Sequence, residues 1–364
     1  MIASAIVLFI IAAGVVYFLL NCTVTSAVAS VFCSLFGMIV ALGYHESVVG
    51  LLAGYGLAGP LWSAVTLLVL YALAALILRV LAGFVVGSQI DFGELPKKVV
   101  VPALGAVQGL LLAGMVMIAM GIAPVGFLGY ARFGEGSVNP SMPKKLMVNA
   151  DGFVSGLFSW ISQGSLRSSK SFAMVHADYL NQLHLAHVGK VYPQAGREAI
   201  QVPRQGARTR EFDGRACLVV RVKLNSAPLK RGGAADPDNA IQFTPAQMRL
   251  LCKPSEQEPD TTGTVRVVYP IGFVSRAGTL VEKDLGEVLQ AERKKDGEAK
   301  PAETLVWFGE GPNPQCDVVF DMPQGLRPIL LQFKVGAMAE VPTVQASTPE
   351  IEDALEGRGA PAES

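Results

Sequence analysis

Three of the four histidines in the chain, His176, His184 and His187, fall close together in sequence. On a helix, His176 and His187 stand about three turns apart and so share a face, with His184 beside them. Imidazoles placed this way can ligate a zinc-type ion. The plainer reading is the polar face of an amphipathic helix, and no metal is expected. Gly54-Tyr-Gly-Leu-Ala-Gly59 has the G-x-G-x-x-G spacing of a dinucleotide loop. That loop works only between a strand and a helix N-terminus that receives the pyrophosphate. Here apolar stretches flank it on both sides, so no nucleotide or other cofactor is expected. No Ser/His/Asp order, phosphate-binding lysine loop, H-E-x-x-H or paired-carboxylate pattern stands out. The chain reads as a non-enzyme with no catalytic residues.

The cysteines carry little more. Cys22 and Cys33 lie in apolar runs and read as small buried hydrophobes. Cys217, Cys252 and Cys316 lie later, without C-x-x-C spacing. One disulfide among these three is open if that region faces an oxidising compartment.

The elements that must position these residues are legible from charge. Charged residues are 16% of the chain, against about 25% in an ordinary globular protein. From Met1 to Leu78 the only fully charged side chain is Glu46, and all 30 Lys and Arg residues begin at Arg79. Such a stretch has no polar surface to offer water. Four apolar runs of bilayer length are expected at about Ile2–Leu20, Val24–Tyr44, Leu61–Ala82 and Val99–Ala123. The lipid bilayer is therefore the first expected partner. A net charge of zero argues against nucleic acid, which needs a basic surface. His45, Glu46 and Arg79 fall near the ends of these runs, as membrane-edge ionisable residues. Arg79, Lys97 and Lys98 flank the third connection, whereas the first two are free of Lys and Arg. The positive-inside rule then puts that third connection in the cytoplasm and both chain ends outside.

The fourth run reads Pro102-Ala-Leu-Gly-Ala-Val-Gln-Gly-Leu-Leu-Leu-Ala-Gly. Gly105, Gly109 and Gly114 let another helix approach closely, and Gln108 can hydrogen-bond across such an interface. Three uses are open: packing within one bundle, self-association through this helix, or lining a narrow path. The run resembles the glycine-spaced "LGAxxGLxxG" stretch of the colicin V production protein (CvpA) family. The likeness covers residues 1–130. It departs at Leu112 and Ala113, where the family usually has a basic residue, and around Asn21–Ser26, where its Gly-Arg-Gly-like turn is absent. The resemblance implies a bacterial inner-membrane protein connected with export or the cell envelope.

Beyond the membrane region, 126–210 reads as a linker with amphipathic helices at Asp151–Ser162 and Phe172–Val188. From Arg215 the apolar period becomes two. Strands are expected at Ala216–Leu224, Ala240–Thr244, Met248–Cys252, Thr264–Tyr269, Thr304–Phe308, Asp317–Met322 and Ile329–Val335. The last two resemble the closing strands of immunoglobulin-like domains on bacterial envelope proteins. The expected fold is thus a membrane α-helical bundle of about four transmembrane helices (1–125), followed by a mainly β, immunoglobulin-like sandwich (211–340) and a disordered acidic tail (341–364). The expected function is a multi-pass anchor or scaffold holding an extracytoplasmic β domain for a protein partner. The alternative is an oligomeric channel or transporter subunit lined by the fourth helix.

Overall fold

The computed structural model describes residues 2–57, 59–85, 93–123, 147–164, 171–191, 193–196, 198–225, 241–257, 265–275, 277–291 and 314–348. They form two compact units, one of residues 1–167 with 179–184, the other of 168–178 with 185–364. The expected strand Thr304–Phe308, most of the linker before Met147 and the end of the acidic tail lie outside the described residues.

The first unit is helical. Helices α1 (Ile2–Asn21), α2 (Val24–Ala53), α3 (Pro60–Val85) and α4 (Glu94–Ile122) are each long and apolar enough to cross a bilayer. The chain is a multi-pass membrane protein by this measure. Many large side chains point outward, among them Phe9, Leu20, Phe32, Leu61, Leu76 and Phe84, as lipid contact requires. Helix α2 continues past the expected end at Tyr44 to Ala53, so that His45 lies within the helix and is buried. Thr23 caps its start, its side chain accepting from the Ser26 N–H. Helix α5 (Ala150–Gln163) packs onto the bundle with Ala150, Val154 and Phe158 inward.

The expected helix over Phe172–Val188 is broken. Helix α6 (Phe172–Val175) ends at His176, whose backbone leaves the helical region (φ −119°, ψ 40°), and α7 runs Tyr179–Leu185. The shared histidine face therefore does not form. Among the described residues no group of three His, Cys, Asp or Glu is placed to hold a metal ion.

The second unit is mainly β. A seven-stranded sheet runs β13 (Gln345–Ala346), β2 (Ala207–Phe212), β3 (Arg215–Leu224), β10 (Gln315–Phe320), β7 (Pro270–Val274), β8 (Leu280–Glu282), with β1 (Ile200–Gln201) also on β3. A four-stranded sheet runs β12 (Ala337–Glu340), β11 (Leu326–Phe333), β5 (Met248–Pro254), β6 (Arg266–Val268). Strands β4 (Ile241–Phe243) and β9 (Leu289–Ala291) pair separately. One core joins all three sheets: Leu218, Val220, Val222, Phe273, Val318 and Phe320 meet Leu250, Leu331, Phe333 and Phe243. Strand pairing extends past the expected 211–340 span at both ends. Ala207–Phe212 forms β2, and Gln345–Ala346 pairs parallel with it. All five cysteines are free and buried. Cys217 lies in the apolar cluster on the outer face of the seven-stranded sheet, whereas Cys252 and Cys316 are in the shared core. That separation leaves no disulfide between Cys217 and either of the others.

Candidate functional site

Within the helical unit, the glycines of α4 do one physical job. A Cβ on Gly109 meets the Cα of Ile11 at 2.6 Å, and one on Gly105 meets the Cα of Val15 at 2.9 Å. Gly14 of α1 answers them, since its own Cβ would lie 2.8 Å from the Gly105 carbonyl oxygen. Three glycines thus let two backbones touch, and α1 packs antiparallel to α4. Packing of this kind replaces the hydrophobic drive that lipid removes. Gly114 is filled from another side, with the Ala150 carbonyl oxygen at 2.5 Å from its would-be Cβ and Val154 beside it. The surface that Gly105, Gly109 and Gly114 clear is occupied by α1 and α5 of the same chain.

Gln108 faces a third neighbour. Its Nε2 donates to Ser34 Oγ at 3.1 Å, and Ser34 shares a short hydrogen bond with the Tyr71 hydroxyl. One polar chain therefore crosses α4, α2 and α3 through buried Ser34 and Tyr71. The Oε1 of Gln108 is buried without a hydrogen bond.

The ionisable residues expected at membrane edges lie inside the helices, His45 and Glu46 within α2 and Arg79 within α3. Arg79 donates to the Ser26 carbonyl at 3.0 Å and to Ser26 Oγ at 2.5 Å, near the start of α2. Glu46 lies twenty residues further along that helix, roughly 30 Å at 1.5 Å per residue. Glu46 instead acts on Tyr179, whose phenol burial and that negative charge together push far up. Sequence reading missed Ser34, Tyr71 and Gly14. A hydroxyl at mid-run and a glycine at mid-run were the available signals.

The second unit buries ions. Arg221 donates to both oxygens of Asp317, Nε to Oδ1 at 2.7 Å and Nη2 to Oδ2 at 2.6 Å. Arg208 adds a bond to Oδ2 at 2.7 Å. The three side chains are essentially inaccessible to water, with exposures of 0%, 2% and 4% for Arg208, Arg221 and Asp317. They lie on the outer face of the β2-β3-β10 ladder, set there by the pairing Asp317–Arg221 and by β2 alongside. Burial raises the Asp317 pKa, but the hydrogen bonds and charges of both guanidinium groups more than offset it and hold the carboxyl below its usual range. Arg249 is a third buried guanidinium, its Nε donating to Gln332 at 2.6 Å and its Nη2 to the Val175 carbonyl at 2.8 Å. Lys334, in the turn between β11 and β12 at φ 52°, donates to the Gln242 carbonyl at 2.8 Å. Burial lowers its amine to about 7. Burial likewise lifts the Cys252 thiol to about 12, which leaves it an unreactive packing group. Each of these arrangements joins one part of the fold to another.

Comparison of the chain with protein-family models, with curated proteins and with solved structures gives no match in any of the three.

Proposed function

We propose that the chain is a non-enzymatic membrane anchor or scaffold. Its helical unit holds the β unit at the bilayer for a protein partner. The observation behind this reading is the separation of tasks between the units. One presents lipid-compatible helices packed backbone to backbone, and the other closes a core of its own from three sheets. The likeness to the CvpA family, carried by Gly105, Gly109 and Gly114, supports a bacterial inner-membrane location linked to export or the envelope. The Lys and Arg distribution supports an extracytoplasmic β unit, and an immunoglobulin-like relationship of its sandwich fits that place.

The test has two stages. Single cysteines at Glu94 and Glu282, with native cysteines replaced by serine, are exposed to a membrane-impermeant thiol reagent in intact cells. Labelling at Glu282 alone is expected, and labelling at Glu94 alone overturns the orientation. A photo-crosslinking residue at Arg215 is then expected to capture a discrete envelope protein. Absence of any adduct overturns the scaffold reading.

A second reading, a channel or transporter subunit, draws on the polar chain of Ser34, Tyr71 and Gln108 inside the bundle. Intramembrane polar groups commonly mark solute paths. It requires ion or solute flux in proteoliposomes that Gln108→Leu reduces, and absence of flux removes it.

A further inference from the structure

We propose that α5 is a re-entrant membrane helix, embedded in one leaflet with its Phe153–Leu157–Trp160 face against lipid acyl chains. This rests on the reading that α1 to α4 cross the bilayer.

The depth of α5 follows from its docking points. Helices α2 and α4 run parallel: the Ala27–Val101 packing lies seven residues before the Ser34–Gln108 bond on both helices. That bond therefore serves as a common level. Helix α5 meets α4 at Gly114, where Ala150 and Val154 press, and meets α2 at Gly43, where Phe158 lies 3.8 Å from the would-be Cβ. Gly114 is six residues beyond Gln108, and Gly43 nine beyond Ser34, or about 9 and 14 Å along the helix axes. The apolar part of α4, Val99 to Ile122, has its midpoint at Leu110–Leu111. Measured from there, the two docking points lie roughly 5 and 10 Å toward one side, inside the ~15 Å half-thickness of the hydrocarbon core. Ala150 confirms this level by clustering with Val7, Ala113 and Met117, residues inside two of the long helices.

The chemistry of α5 suits that depth. Its 14 residues reach about 21 Å, too short to cross the core. Its one charged side chain, Asp151, is fully buried against the bundle. Its start is capped by Asn149, whose side chain accepts from the Gly152 N–H. The hydroxyls of Ser155 and Ser162 turn back to carbonyls of their own helix, at 3.4 and 2.9 Å. The opposite face carries no charge and exposes Phe153 at 43% and Trp160 at 72%. At Gly156 a Cβ would meet nothing. An uncharged aromatic face at this level continues the lipid-facing surface of the long helices.

The experiment uses the full-length protein in phosphatidylcholine vesicles, after flotation resistant to carbonate has shown that the bundle is inserted. Failure to float removes the bundle reading itself and α5 with it. In a Trp62→Phe/Trp307→Phe variant, Trp160 is the remaining tryptophan. Acyl-chain-brominated phosphatidylcholine is expected to lower its emission about two-fold, since bromine quenches on contact within the core. Unchanged emission in brominated vesicles overturns the proposal. Acrylamide quenching then identifies a water-facing helix, and shielding from both quenchers a helix covered by protein. A second variant, Gly156→Cys, keeps all three tryptophans. Its labelling by an impermeant maleimide is expected to be at least about ten-fold slower than that of Glu282→Cys, because the reagent stays in water. Equal rates overturn the proposal.

Discussion

The two units solve the problem of buried polarity in opposite ways. The helical unit joins its long helices through neutral groups, Ser34, Tyr71 and Gln108, and among the described residues buries a carboxylate only at the start of α5, at Asp151. The β unit buries Arg208, Arg221, Asp317, Arg249 and Lys334. The difference reflects what each element can lose. A helix in lipid has satisfied its own backbone and needs only close approach, which glycines provide. A strand is specified by its register, and a buried ion pair with one correct partner distinguishes one register from the next.

The largest test of this contrast is Asp317→Ala. It leaves two guanidinium groups buried without their carboxylate, and a loss of about 3–5 kcal/mol is expected in urea unfolding of the β unit. Replacing Arg208, Arg221 and Asp317 together by Met, Leu and Val is expected to restore most of that stability. A neutral Asp317→Ala breaks the comparison. In the bundle the corresponding change is steric. Gly109→Leu drives a side chain into the α1 backbone and is expected to cost about 3 kcal/mol, read as a lower unfolding temperature in detergent. The β unit should respond to pH through Lys334. Its amine titrates near 7 when folded and at 10.5 when unfolded. Between those values the unfolded chain holds a proton that the folded chain lacks, so stability rises with pH, by about 2 kcal/mol from pH 7 to 9 after allowing for partial relaxation. Lys334→Met is expected to abolish the rise. Asp317 acts at the other limit: its stabilisation is complete above its unfolded value of 3.8 and lost as pH falls below it. The smallest effect is Tyr71→Phe, about 0.6 kcal/mol, typical of hydrogen bonds between membrane helices. A loss as large as that of Asp317→Ala erases the distinction.

Much of this was visible in the chain itself, for physical reasons. The four long helices follow from hydropathy, which needs only local composition. Strands β3, β5, β10 and β11 follow from alternating or continuous apolar runs. Strand β2 was hidden because Ala207-Arg-Thr-Arg-Glu-Phe212 reads as a polar segment. A signal existed in Asp213-Gly214, both at positive φ, the two-residue turn that joins β2 to β3. What no local pattern carries is why Arg208 is tolerated inside, since its carboxylate lies 109 residues away. The break at His176 is hidden similarly. The spacing of Phe172, Val175, Tyr179 and Leu183 is helical, but part of that stretch belongs to each unit. The glycine pair of α4 announced close packing without naming Gly14 as its answer.

The distance along the chain between Arg208 and Asp317 has a consequence for synthesis. Strands β2 and β3 leave the ribosome roughly a hundred residues before β10. During that interval Arg208 and Arg221 have no Asp317 carboxylate, and the hairpin cannot bury its outer face. The ladder of β2, β3 and β10 is therefore completed only after β10 has been made. Chains that stop before residue 317 should remain open, visible to proteases and chaperones as unfinished.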